Sequence, residues 1–174
     1  MAEPAPSSSP GRDETPFERA DRNLTELLGE LRVALPGVQV LFAFLLIVPF
    51  NSRFDDVSAF QRDLYFAILL CTALGSALLI APTMYHRIEF RVGDKEHLVK
   101  VSNRLAIAGL TLVAFAMTGV TALVTDFVFG TVQTVVATAL VASAFAVLWY
   151  AMPLRRRALV QRSHPNPPPP AEPR

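Results

Sequence analysis

The sequence predicts an all-α protein: a four-helix transmembrane bundle preceded by a cytoplasmic amphipathic helix, with disordered tails. Three observations carry that expectation. The 174 residues are 52% hydrophobic and only 18% charged, against roughly 45–50% and about 25% in an ordinary soluble domain. Four stretches approach the ~20 apolar residues that a helix needs to cross a bilayer core of about 30 Å. Ten of the 14 prolines lie in the first sixteen or the last ten residues, so helix-breaking residues crowd the ends and spare the middle.

Those ends, "MAEPAPSSSPGRDE" and "SHPNPPPPAEPR", lack the apolar surface that would offset the entropy of ordering. Residues 1–14 and 153–174 are therefore expected to be tails, the second basic ("RRR") before it becomes proline-rich. Its proline run also has the form of a polyproline ligand, although an inert tail is the simpler expectation. No charged segment followed by an apolar one opens the sequence, so no cleaved secretory signal is expected.

Residues 15–32 read as the amphipathic helix. Thr15, Pro16 and Glu18 occupy the N-cap, first and third positions of a capping box. Leu24, Leu27, Leu28 and Leu31 recur at helical spacing, while Arg22, Glu26 and Glu30 point away. That leucine face is expected to lie on the inner membrane surface or against the bundle, and is a candidate for contact with lipid or a partner. "NLT" at Asn23 has the form of a glycosylation acceptor, but a cytoplasmic helix is not modified there.

The membrane domain is expected over 33–152. The first span is "VALPGVQVLFAFLLIVPF" (33–50), and the second covers 64–83 around "LYFAILLCTALGSALLIAP". From Leu105 to Met152 the chain stays apolar for 48 residues, with Asp126 its only charged residue. Two spans, 105–124 and 128–152, fit that length if a tight turn falls near "VTDFVFG", where Thr125, Asp126 and Gly130 are the turn formers. Pro36, Pro49, Pro82 and Pro153 all stand near these predicted ends, where a missing backbone donor is least costly.

Lysine and arginine set the orientation. With a cytoplasmic N-terminus, twelve basic residues near the span ends fall inside, including Arg87, Arg91, Lys95, Lys100, Arg104 and Arg155 to Arg157; only Arg53 and Arg62 fall outside. The positive-inside rule then favours an even number of spans with both tails cytoplasmic.

Helices in lipid associate through small residues. Gly130, Thr134, Thr138, Ala142 and Ala146 recur every four residues in the fourth span, and Ala73, Ala77 and Ala81 in the second. Both ridges are expected to face other helices, within one chain or in a homo-oligomer.

Chemistry is harder to find. Burying an ionisable group at mid-span costs roughly 2.5–3.5 kcal/mol on insertion scales, so such groups mark function, and none stands at mid-span here. Gln39 and Gln133 are the candidate polar intramembrane residues. Gln39 lies about 9 Å deep at 1.5 Å per residue, and Gln133 a similar distance from the opposite end, so the two are not expected to meet. His86, Glu89, Glu96 and His97 match no metal-ligand spacing. Cys71 has no second cysteine to pair with. Acidic residues dilute the basic loop, which argues against nucleic acid. No phosphate loop, nucleophile elbow or carboxylate pair is present, so no enzyme, cofactor or metal is expected.

"ADRNLTELLGELRVALPGVQVLFAFLLIVPF" (20–50), "FQRDLYFAILL" (60–70) and "APTMYHRIEFR" (81–91) resemble a family of small actinobacterial integral membrane proteins whose domain has no assigned function. The motifs are ADRN…TELL.ELRV and HR..FR, the latter carried here by His86, Arg87, Phe90 and Arg91. The resemblance covers about 17–157 and implies a four-span protein of the bacterial inner membrane. Some members carry a sodium:proton antiporter label, but antiporters use membrane-embedded carboxylates, which this chain lacks at mid-depth. Two expectations follow. The first is a non-enzymatic anchor, assembly or interaction protein whose leucine face and basic loop (Arg87, Arg91) meet lipid or a membrane-protein partner. The alternative is a small transporter or channel using Gln39, Gln133, Asp126 and the interfacial Asp55, Asp56 and Asp63.

Overall fold

We describe the protein from a computed structural model that defines residues 15–89 and 95–163. Helix α1 (Pro16–Ile47) leads through two 3-10 segments (Val48–Phe50 and Ser52–Asp56) to α2 (Ala59–Glu89), α3 (Lys95–Val128) and α4 (Thr131–Phe145). A π-helical stretch (Ala146–Ala151) carries α4 into α5 (Met152–Ser163). No strand occurs among the described residues. Four helical stretches are long and apolar enough to cross a membrane, the last running from α4 into α5.

Successive helices run antiparallel, and this sorts the charges. One end gathers the start of α1, the end of α2, the start of α3 and α5; we refer to it as the basic end. The other gathers the 3-10 segments and the α3–α4 turn, with Asp55, Asp56 and Asp126; it is the acidic end.

Helix α1 starts where the capping box places it. The Thr15 N–H donates to Glu18 Oε2 at 2.9 Å, and the Glu18 N–H donates to Thr15 Oγ1 at 3.3 Å. The amphipathic helix expected over 15–32 and the first span expected over 33–50 are joined in one helix, and α1 continues through Pro36 for 32 residues. Proline inside a helix removes one hydrogen bond and costs about 3 kcal/mol in isolation. The helix persists because Leu24, Leu31, Val38 and Leu45 are all buried, at intervals of seven residues, with Leu27, Ala34 and Leu41 half-buried between them. A seven-residue repeat keeps one seam on its neighbours as helices wind left-handedly, and this seam spans the proline. At 1.5 Å per residue α1 is about 48 Å long, so about a dozen residues exceed a 30 Å hydrocarbon core.

Helices α2 and α3 make the closest pair. Tyr65, Ile68, Thr72, Gly75, Leu79 and Pro82 are buried along α2, alternating steps of three and four, and Ala106, Gly109, Val113 and Ala116 answer on α3. A methyl group on Gly109 would lie 2.9 Å from Leu79 Cγ and 3.1 Å from the Gly75 carbonyl oxygen; one on Gly119 would lie 2.7 Å from Ile68 Cγ1. These are backbone-scale approaches. Two apolar clusters fill the space between α1, α2 and α3: Leu31, Val38, Leu79, Ala106 and Val113 toward the basic end, and Leu45, Tyr65, Ile68 and Ala116 toward the acidic end.

Several expectations are corrected here. Pro82, expected near the end of the second span, does not end α2 but lies buried inside it, and the helix continues to Glu89. Thr125 and Asp126 are helical, and the turn is confined to Phe129 and Gly130, whose φ of +111° favours glycine. Of the α2 alanine ridge, Ala77 is exposed while Gly75 is buried. In α4, Gly130, Thr134 and Thr138 are half-buried against α3, but Ala142 and Ala146 are exposed, and Ala137, Val141 and Phe145 continue the contact. Steps of four residues rotate about 40° each around a 3.6-residue helix, so both ridges drift off their seam.

Helix α4 packs on α3 and on neither α1 nor α2. The four spans therefore form a three-helix core with a fourth helix on one flank. Trp149 stacks edge-on against Phe145 at 4.9 Å, and the Tyr150 hydroxyl hydrogen-bonds that of Thr111. About 28 Å separates residue 131 from residue 150 at helical rise, which puts these aromatics one hydrocarbon thickness from the turn, as in an interfacial belt.

Gly109→Ala is expected to destabilise the fold by about 1–3 kcal/mol, the usual cost of overpacking. Gly29→Ala, with nothing within 4 Å of the added carbon, should be neutral or stabilise by up to about 1 kcal/mol through helix propensity. Unfolding titrations in mixed micelles check both; equal effects would contradict the close seam.

Candidate functional site

The leucine face of α1 turns inward. Leu24 and Leu31 are buried and Leu27 and Leu28 half-buried, so the stripe is packed against the bundle and does not present Leu24 or Leu31 to lipid or a separate partner. The heptad repeat explains this, since the same face that emerges from the membrane continues the inward seam. Arg87 is exposed near the end of α2 and His86 is half-buried beside it. Phe90 and Arg91 lie outside the described residues. Helix α3 begins at Lys95.

Gln39 and Gln133 are both exposed, on α1 and α4, which share no contact. The structure does not bring them together. Most scattered hydroxyls are equally local. Thr72, Ser76, Thr111, Thr118, Thr121, Thr125 and Thr134 each donate to the carbonyl four residues earlier, at 2.7–2.9 Å. With no water in a bilayer core, a hydroxyl on a helix satisfies itself this way. Ser102 and Thr138 are the exceptions, with buried hydroxyl oxygens that have no partner. In the register that sets Gly75 against Gly109, Ser102 stands level with Pro82, whose missing N–H deprives the Leu78 carbonyl of its helical donor.

The acidic end holds the best-defined polar arrangement. Ser58 caps α2: its N–H donates to Gln61 Oε1 at 3.0 Å, and the Gln61 N–H donates to Ser58 Oγ at 3.2 Å. The same Gln61 side chain then crosses to α3, donating from Nε2 to Asp126 Oδ2 at 2.8 Å. One glutamine thus fixes the start of α2 and ties it to the end of α3. Four residues along, the buried Tyr65 hydroxyl donates to the Leu45 carbonyl at 2.8 Å. That carbonyl lacks its normal helical donor because residue 49 is proline, and it accepts from the Val48 N–H as well. Pro49 and Tyr65 therefore work together to end α1 at this level.

Beside these bonds an open cavity of about 380 Å³ lies between the 3-10 segments, α2 and α3, lined by Val48, Phe54, Val57, Tyr65, Leu123 and Phe127 with Asn51 and Gln61. Sequence reading missed this site. The S-x-x-Q capping signal in "SAFQ" was available, but nothing in the sequence pairs Gln61 with Asp126 across 65 residues. Among the described residues no group of three or more histidine, cysteine or acidic side chains gathers, and Cys71 is half-buried in the α2 span.

Four apolar antiparallel helices with self-satisfied hydroxyls, charges sorted to the two ends, and interfacial aromatics define a multi-pass membrane protein. The chain belongs to the family described as "Family of unknown function (DUF6328)", which matches residues 13–153. No curated protein and no solved structure matches it.

Interhelical hydrogen bonds in membranes are worth about 0.6 kcal/mol on average and up to about 1.7. Because Asp126 is a carboxylate, a double-mutant cycle of Gln61→Ala and Asp126→Ala should give a coupling of about 1 kcal/mol. Zero coupling in micelle unfolding would show the bond to be incidental.

Proposed function

We propose that the protein is a non-enzymatic integral protein of the bacterial plasma membrane, with both termini cytoplasmic, that serves as an anchor or assembly subunit for a second membrane helix. The observation that carries this reading is the placement of α4. Held by α3 alone, it leaves Val132, Val135, Val136 and Leu140 more than 60% exposed on its outer side. A span with one intramolecular neighbour has room for an intermolecular one, either a second copy or a membrane-protein partner. The basic end supports the orientation: Arg87, Lys100, Arg104 and Arg155 to Arg157 are exposed, and such residues are retained on the cytoplasmic side, near anionic headgroups.

A small transporter or channel is the second reading, favoured by one observation, the Gln61–Asp126 pair at the acidic end. No described polar contact extends that pair inward. Leu79 and Thr72 are fully buried at the centre, and the Thr72 hydroxyl is taken by its own helix.

Cross-linking decides between them. In a Cys71→Ser background, Leu140→Cys on α4 should give one discrete bismaleimide adduct in native membranes, while Phe44→Cys on the outer face of α1 should give none. Monomer alone at both positions would sink the assembly reading. Collapse of a pH gradient in liposomes on addition of sodium or potassium would replace it with transport. For orientation, an impermeant maleimide should label Asp55→Cys in intact cells and Arg157→Cys only after permeabilisation; the reverse order would invert the topology.

A further inference from the structure

The cavity at the acidic end is built from complementary parts. Its volume of about 380 Å³ falls in the range of small-molecule sites, roughly 300–1,000 Å³. Three aromatic rings line it, those of Phe54, Tyr65 and Phe127, with Phe54 standing edge-on to Tyr65 at 5.4 Å and 74°. Aromatic faces attract organic cations, most strongly where water is excluded. The rest of the lining is aliphatic except for Asn51 and Gln61.

Acidic residues outnumber basic ones around the lining. Gln61 donates to one oxygen of the half-buried Asp126, and a carboxylate has about four lone-pair sites, so Asp126 keeps acceptor capacity beside a lining residue. Asp55 and Asp56 are exposed on the segment between the lining residues Phe54 and Val57. The basic residues of this end, Arg53 and Arg62, are outnumbered by these three acids. An anionic amphiphile is repelled there, and a neutral one gains nothing from Asp126.

We propose that this cavity binds a small amphipathic cation, an apolar body carrying a single ammonium group. The apolar part fills the space between Val57 and Leu123, and the cationic head lies against the aromatic rings within reach of Asp126. The site requires no transport step and does not depend on the assembly role of α4.

The probe is octyltrimethylammonium, titrated calorimetrically into the full-length protein in phosphatidylcholine nanodiscs, with empty nanodiscs subtracted and octanol and octyl sulfate as neutral and anionic comparisons. Saturable binding of the cation, at least several-fold tighter than that of either comparison, is expected. Asp126→Asn keeps an oxygen for Gln61 and should weaken the cation by about fivefold, the scale of a part-exposed charge contact, while leaving octanol unchanged. Val57→Trp should fill the cavity and abolish binding. Equal binding of all three amphiphiles, an unchanged cation affinity in Asp126→Asn, or no binding above empty nanodiscs would each overturn the proposal. Asp126→Asn carries the test if Val57→Trp fails to fold.

Discussion

Backbone contact between α2 and α3 at Gly75 and Gly109 is the constraint on which the other helices depend. In lipid there is no hydrophobic gain from bringing two helices together, so association rests on dispersion, which falls steeply with small increases in separation. Removing the Cβ at both positions lets each backbone approach the other's carbonyl, and it frees a space over Gly109 that Leu79 fills completely. Ile68 fills the equivalent space over Gly119. The two helices are thereby fixed along their length, and the groove they form accepts the α1 stripe. The same close approach leaves no width for water between α2 and α3.

The helices around this pair are held unequally. The buried stripe of α1 runs from Leu24 to Leu45 and joins both apolar clusters through Leu31, Val38 and Leu45. That continuity explains why Pro36 is tolerated in mid-helix. Helix α4 has no such stripe shared between two neighbours. Its contact with α3 rests on small and β-branched residues, a hydroxyl pair at Tyr150 and Thr111, and a glycine turn. A helix held along one side is the span with most freedom to meet another molecule.

The sequence made the spans legible because composition and length decide them, and charge segregation needed only counting. The α1 start at Thr15 was legible for the same reason, since a capping box is local chemistry. Packing was not. A ridge of small residues every four positions is conspicuous in a string, yet geometry rotates it off the seam, and the glycines that matter, Gly75, Gly109 and Gly119, show no pattern until α2 and α3 are set antiparallel. Pro36 and Pro82 misled in the same way, because propensity describes an isolated helix and tertiary burial overrides it. On α1, Leu24 and Leu31 are buried while Arg22, Glu26 and Glu30 are exposed, but the amphipathic pattern in the sequence does not say whether lipid, a partner or the chain itself covers the leucine face. Gln61 and Asp126 were invisible as a pair because sequence separation hides contact.

Among the described residues the charged side chains are sorted to the two ends of the bundle. Along the middle of the core most hydroxyls bond to their own helices, Ser102 and Thr138 excepted, and the largest fully buried side chains are Leu79, Thr72, Pro82 and Ser102. At the basic end, arginines and a lysine are exposed; at the acidic end, a glutamine joins two helices beside an aromatic cavity. Between α2 and α3 a polar route from end to end is blocked by the Gly75–Gly109 contact, where backbone meets backbone; a path along α4 lacks a second wall within one chain. The second path becomes physical only when another helix closes it. At the level of Gly75 and Gly109 the single chain therefore leaves no such path between α2 and α3.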